Sequence, residues 1–243
     1  DIQSNGLELI PRENFLAHTR LIENLSAFQS LIADEYSLTN DPDTDSTYLI
    51  DALIEKSPLA IERMGQLRAL GTSVLTKRQP HVLSEQIEFT VLLTGLNAAV
   101  DGLRRNLEKI SRSNPGLQPA LAATVRDMGT AAEKVTALVN QDIFSATYAT
   151  RPADYFALTT DSLESGYRVL FESLFPTLEE LLGRRIASAQ RNLYLSVAIS
   201  ALALLIYGYV SISLYYATIG NIEHLADKTR TIAFISDYVA TTR

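Results

Sequence analysis

An arginine inside an apolar seam has to be neutralised, bound or let out to water. Arg68 is such a residue. It falls in the run Ile50, Ile54, Ser57, Ile61, Met64, Arg68, Gly71 and Leu75. Steps of four and three put all of these on one helix face. A guanidinium there needs a carboxylate partner, a ligand or an escape route to solvent. Arg63 lies on the neighbouring stripe. Read functionally, Arg63 and Arg68 form an anion-binding pocket between helices, suited to a small carboxylate. Read structurally, Arg68 is held by an internal salt bridge or snorkels to water, the commoner fate of such a side chain. Gly65, Ala69 and Gly71 leave room there for either a ligand or a closely packed helix.

Other reactive side chains assemble into less. Asp41, Asp43 and Asp45 begin like a calcium loop of the EF-hand type, but Ser46 and Ala52 stand where that loop needs Gly and Glu. Turn-forming Asp residues with Asp45 or Ser46 capping the next helix explain the pattern more simply. His18, His81 and His224 fall on different elements, and His18 and Gln29 read as satisfied polar residues of helix one. No zinc-protease, P-loop or nucleophile-elbow motif occurs. Carboxylates at helical spacing, such as Glu179 and Glu180, read as a solvated surface. There is no Cys, hence no thiolate nucleophile and no Cys-based zinc site. The residues predict no catalytic site, no metal and no cofactor.

Stepping from residues to elements, the dominant feature is an uncharged run. Residues 192–222 contain no Asp, Glu, Lys, Arg or His, and most of Leu193–Tyr216 is apolar. About 20 apolar residues cross the hydrocarbon core of a bilayer as a helix. The spacing of tyrosines Tyr194, Tyr207, Tyr209, Tyr215 and Tyr216 matches ordinary interfacial anchors. Arg184, Arg185 and Arg191 flank the run on one side, Lys228, Arg230 and Arg243 on the other, so flanking charge leaves its orientation undecided. Net charge is -7, and it is scattered through the part before the run, which argues against nucleic acid as a partner. A chain of 243 residues that starts at Asp and stops soon after a span reads as an excerpt of a longer protein. Its first residues, DIQSNGLELIP, would then follow an earlier span.

Before the run, the sequence reads as helix after helix. Helix one covers Arg12–Tyr36 with a seam of Leu21, Leu25, Phe28 and Ile32. Helix two covers Ser46–Arg78, locally disturbed at Pro58 and stopped by Pro80. Helix three covers Ser84–Arg112 with Phe89, Leu93, Leu96, Val100, Leu103, Leu107 and Ile110 as its seam. Helix four covers Leu117–Asp142. A less regular stretch, FSATYATRPADYFALT, leads to helix five, which starts near Thr160 and runs on into the span. Ile219, Ile222, Ala226, Thr229 and Ala233 keep the spacing of a packing helix beyond it. Short connections between long amphipathic helices give antiparallel packing. The fold expected is all-α, an elongated up-and-down helical bundle over residues 1–190, a transmembrane helix over 191–217, and the start of a linker helix over 218–243.

The segment from Asp41 to Gly71, with its Asp-rich turn and the stretch Gly65-Gln66-Leu67-Arg68-Ala69-Leu70-Gly71, resembles the extracytoplasmic helical sensor regions of bacterial transmembrane signalling proteins. These are methyl-accepting chemotaxis receptors and related sensor kinases and diguanylate cyclases. The stretch IGNIEHLADKTRTIA after the span is similar to the first helix of a HAMP linker. The resemblance implies a bundle in the periplasm, a span in the bacterial inner membrane and a cytoplasmic C-terminus. It also implies a homodimer, a ligand bound within or between bundles, and a cytoplasmic output domain beyond this chain. A ligand-free membrane-anchored scaffold, and a membrane enzyme whose catalytic part lies elsewhere, are the alternatives.

Overall fold

A computed structural model describes residues 10–38, 43–78 and 82–241. The expectations for the leading residues 1–9, for Asp41, for the stop at Pro80 and for His81 lie outside the described residues. Among those described there are helices and no strand. Helix α1 is Pro11–Glu35. Helix α2, residues 44–77, comprises Thr44–Asp51, a π turn Ala52–Lys56 and Ser57–Lys77. Helix α3 is Leu83–Ser113. Helix α4, residues 118–144, joins Gln118–Leu138 to a terminal π turn Val139–Phe144. Helix α5, residues 152–241, comprises Pro152–Arg168, a π turn Val169–Leu174 and Phe175–Thr241.

Two starts differ from the sequence reading, for local reasons. The stretch 152–159 is helical, so α5 begins eight residues before Thr160. Pro152 sits in the first turn, where its missing N–H costs nothing, and Asp154 favours the positive end of the helix dipole. Helix α2 begins at Thr44, one to two residues early, with Asp43 rather than Asp45 or Ser46 in the capping position. The Asp43 carbonyl accepts from the Thr47 N–H, while Asp45 lies inside the first turn and accepts from the Ser46 N–H at 2.9 Å.

Pro58 does not end α2. The π turn just ahead of it gives the chain one extra residue, and Ser57 N–H reaches back to the Ala52 carbonyl. This wider turn absorbs the hydrogen bond and the space that a proline denies an α-helix. Pro176 follows the Val169–Leu174 turn of α5 in the same way.

The chain divides into two compact units, one ending at Gly183 and one covering Arg184–Arg243. In the first, α2 packs against α3 and α5, and α4 packs against α3 and α5. Cross-contacts fix the directions. Tyr155 of α5 meets Gly71 of α2, and Gly166 meets Ile61. Arg63 of α2 meets Gly95 of α3, and Lys56 meets Gly102. Phe89 of α3 meets Phe144 of α4 edge-on. Along α2 the partner index falls as its own rises, so α3 and α5 each run antiparallel to α2. The core between them holds Leu49, Met64, Leu67, Leu75, Phe89 and Leu96 and continues along the seam expected for α3 and along Leu121, Met128, Ala132, Val135 and Val139 of α4.

Helix α1 departs from expectation. Its seam residues Leu21, Leu25, Phe28 and Ile32 are exposed, while Ala33 is buried. Small side chains give this helix its contact with α2, and the large apolar ones face away.

In the second unit, the apolar run belongs to a helix long and apolar enough to cross a membrane, by length and composition, and its most apolar stretch is not buried by the rest of the chain.

Candidate functional site

The contact between α2 and α5 is built by a large side chain entering a notch. Tyr155 is fully buried against Gly71, and a Cβ at position 71 would overlap the Tyr155 hydroxyl and ring. The hydroxyl donates to the Leu67 carbonyl at 3.0 Å. Burial, and then the negative charge of Asp142, push this phenol well above its usual range, so it stays a neutral donor. Asp142 is itself buried, at the end of α4, and accepts from the Ala149 and Thr150 N–H groups at 3.2 and 3.3 Å. It thereby shapes the turn into α5, where Ala146 and Tyr148 take left-handed backbone conformations. Tyr155 lies within the stretch that reads as irregular from sequence, so periodicity does not single it out. The proline opening the helix three residues earlier was the available signal.

Arg68 sits lower on the same contact. Its Nη1 donates to Thr160 Oγ1 at 2.9 Å, and its guanidinium carbon lies 4.7 Å from the centre of the Phe156 ring. Among the described residues no carboxylate forms an ion pair with it. A hydroxyl and an aromatic face therefore stand where the sequence suggested a salt bridge or a bound anion. The half-buried guanidinium keeps donors that these two partners do not use.

Arg63 turns the other way. It packs on Gly95 of α3, and its Nη1 donates to Gln66 Oε1 at 2.7 Å. Gln66 in turn donates to Glu62 Oε1 at 2.8 Å. Nε of Arg63 is buried without a hydrogen-bond partner. Burial raises the Glu62 carboxyl above its usual range, and the charge of Glu23 on α1 adds to this. Arg63 and Arg68 thus face different helices and line no common pocket. At Gly71 the space is taken, because Tyr155 fills the notch, whereas a Cβ at Gly65 would meet a single atom of Leu163 at 4.0 Å and Ala69 is exposed. A cleft of about 440 Å³ does lie between α1 and α2, lined by Ser30, Tyr48, Ile50, Asp51, Ile54 and Glu55 among others, and neither arginine reaches it.

Farther along, the π turns of α2 and α5 touch one another. Each precedes a proline. Ser57, at the end of the first, is fully buried and its hydroxyl has no partner. Ser173, within the second, exchanges a hydrogen bond with Thr124 of α4. A π turn holds a residue more than an α turn, so a shift of register at such a place needs no break in the helix. No nucleophile with an adjacent base appears at this level or along the Tyr155–Arg68 face. The arrangement holds two helices in register, with their π turns in contact at one level.

No protein-family model, curated protein or solved structure matches the chain.

Proposed function

We propose that this chain is the extracytoplasmic sensor region and membrane span of a bacterial signal-transducing receptor, with chemotaxis as its output. A sensor kinase or diguanylate cyclase output is the closest variant of the same design. On this reading the antiparallel helices α2–α5 form an up-and-down bundle in the periplasm. The apolar run crosses the inner membrane, and residues 218–243 start a HAMP-like linker in the cytoplasm. Two copies associate. A small anionic ligand engages Arg68 and favours one register of α5 over another.

The observation that carries this reading is the continuity of α5. It is helical from Pro152, beside the Tyr155 notch, through the whole apolar run. Such a helix can pass a small, bistable displacement from the packed unit to whatever follows. The unused donors of Arg68 beside that helix supply a place for an anion to act.

A second reading, a membrane-anchored scaffold without a ligand, is favoured by one observation: Tyr155 fills the space beside Gly71.

The two separate in one experiment on the full chain in lipid nanodiscs. A panel of small carboxylates is screened by thermal shift. Hits are then tested on a chain carrying Gly208→Cys, which is a single cysteine because the protein has none of its own. The receptor reading expects at least one carboxylate to raise Tm, to change the rate of cross-linking through position 208, and to lose both effects in Arg68→Ala. A panel with no effect on either readout supports the scaffold.

A further inference from the structure

We propose that the cleft between α1 and α2 binds a small organic amine as its ammonium ion, held by Glu55, Asp51 and the ring of Tyr48. The cleft exists because of what α1 turns inward. Its side toward α2 carries Ala33 and Ser30, while Leu25, Phe28 and Leu31 are exposed. Small side chains on that side leave a space of about 440 Å³, the size of a small-molecule site. The opposite wall is one face of α2. Thr47, Asp51 and Ile54 step along it by four and three, and Tyr48 and Glu55 lie one residue beyond the first and last of them.

The polar groups of this lining offer acceptors. The Ser30 hydroxyl donates to the Ser26 carbonyl at 3.1 Å, and the Thr47 hydroxyl to the Asp43 carbonyl at 3.0 Å. Each therefore has lone pairs, rather than its proton, to give a ligand. Asp51 is fixed by the buried Asn106 of α3, whose amide donates to its carboxylate. Lys56 is the cation that Asp51 and Glu55 share, with Nζ 2.7 Å from Glu55 and 3.7 Å from Asp51. Its stem packs on Gly102 of α3, away from the lining. One ammonium against two carboxylates leaves one negative charge at the cleft. The hydrogen bond from Lys56 holds the Glu55 carboxyl below its usual range, so that charge persists at neutral pH. No Lys, Arg or His lines the cleft among the described residues. Tyr48 already takes an ammonium on its ring, since Nζ of Lys109 from α3 lies 4.1 Å from the ring centre. Buried Ile50 and half-buried Ile54 add an apolar wall. An ammonium on a short apolar stem satisfies all of these groups, whereas an anion would meet surplus negative charge. The site is independent of the anion proposed at Arg68.

The test uses the full chain in lipid nanodiscs, with isotope-labelled isoleucine methyl groups followed by nuclear magnetic resonance. Phenethylamine is the probe, and phenethyl alcohol and hydrocinnamate are its neutral and anionic counterparts of similar size. The amine is expected to shift the Ile50 and Ile54 methyl signals saturably. Ile206, in the apolar run, reports amine that merely enters the lipid. The alcohol and the carboxylate are expected to bind at least tenfold more weakly. Glu55→Gln keeps the shape and removes the charge, and is expected to weaken the amine at least fivefold. Ser30→Leu fills the cleft from α1 and is expected to abolish the shifts. Both positions are exposed, so helical circular dichroism is expected to be unchanged in either variant. No saturable shift at Ile50 and Ile54, an equal response to the alcohol, or undiminished amine binding in either variant overturns the inference. Arg68→Ala is expected to leave amine binding intact. Amine binding in a chain that no carboxylate stabilises would leave this site standing while the anion reading fell.

Discussion

Helices α5 and α1 both pack against α2, and they do so in opposite senses. Helix α5 brings a tyrosine inward, and α2 supplies a glycine to receive it. Helix α1 turns Ala33 and Ser30 toward α2 and leaves Leu25 and Phe28 outside. Both helices carry an apolar seam of the same period. Periodicity therefore identifies a face that water disfavours, without identifying what covers it. The α5 face is covered by its own chain. The α1 face is not, and this difference separates a contact that holds the fold from one available to a partner.

The sharpest way to break the comparison is to empty the notch. Tyr155→Ala removes a fully buried ring and its bond to the Leu67 carbonyl, and is expected to cost about 3–5 kcal/mol in chemical denaturation of the packed unit. Tyr155→Phe loses the hydrogen bond alone and is expected to cost about 1 kcal/mol. A result in which both variants are neutral would mean that α5 is not anchored by this residue.

Filling the notch from the other side ranks next. Gly71→Ala forces the Tyr155 ring aside and is expected to cost roughly 1–3 kcal/mol. Gly129→Ala, in α4 with no heavy atom within 4 Å of the added Cβ, is the matched control and is expected to stabilise by about 0.5–1 kcal/mol. Equal effects at the two sites would remove the argument for a notch. Combining Gly71→Ala with Tyr155→Phe should not restore stability, because the added Cβ meets the ring as well as the hydroxyl.

On α1 the usual ranking of large over small should invert. Ala33→Leu overpacks the buried side and is expected to speed hydrogen exchange across α1, at a cost of roughly 1–2 kcal/mol. Leu25→Ala in the dissociated chain is expected to change stability by less than about 0.5 kcal/mol. If Leu25→Ala proved the worse of the two, α1 would be packed through its stripe after all.

The smallest expected effect is a pH dependence at the α1–α2 contact. Burial makes the Glu62 carboxyl favour its neutral form, so the folded chain binds this proton more tightly than the unfolded chain. The associated stability is complete below the ordinary carboxylate range and is lost as pH rises through the raised value. Glu62→Gln should remove that loss and raise Tm slightly at pH 8, with little change at pH 4. Thermal unfolding of both chains at the two pH values checks it.

The seams of α2, α3 and α4 were legible because their apolar residues recur at steps of three and four over many turns. Met64, Leu96, Leu107 and Val135 are buried accordingly. The early start of α5 was harder to read, because Thr147, Thr150 and Arg151 ahead of Pro152 look like a loop, and the buried Asp142 that organises the turn acts through backbone N–H groups that carry no sequence signal. For the candidate site, the sequence singled out Arg68 and the small residues around it. It did not show that Phe156 and Thr160 meet the arginine, or that Arg63 faces another helix, because both facts depend on which helix lies on which side of α2.

By itself the sequence determined that this chain is helical, that residues 192–222 carry no charge, and that an arginine sits in a seam of α2. Those properties follow from residue type and spacing along one helix. Only the tertiary structure decided that Tyr155 fills Gly71, that Arg68 meets a hydroxyl and an aromatic ring, and that the α1 seam stays exposed. Each of these depends on a second helix, and the period of one helix specifies a buried face without specifying its neighbour.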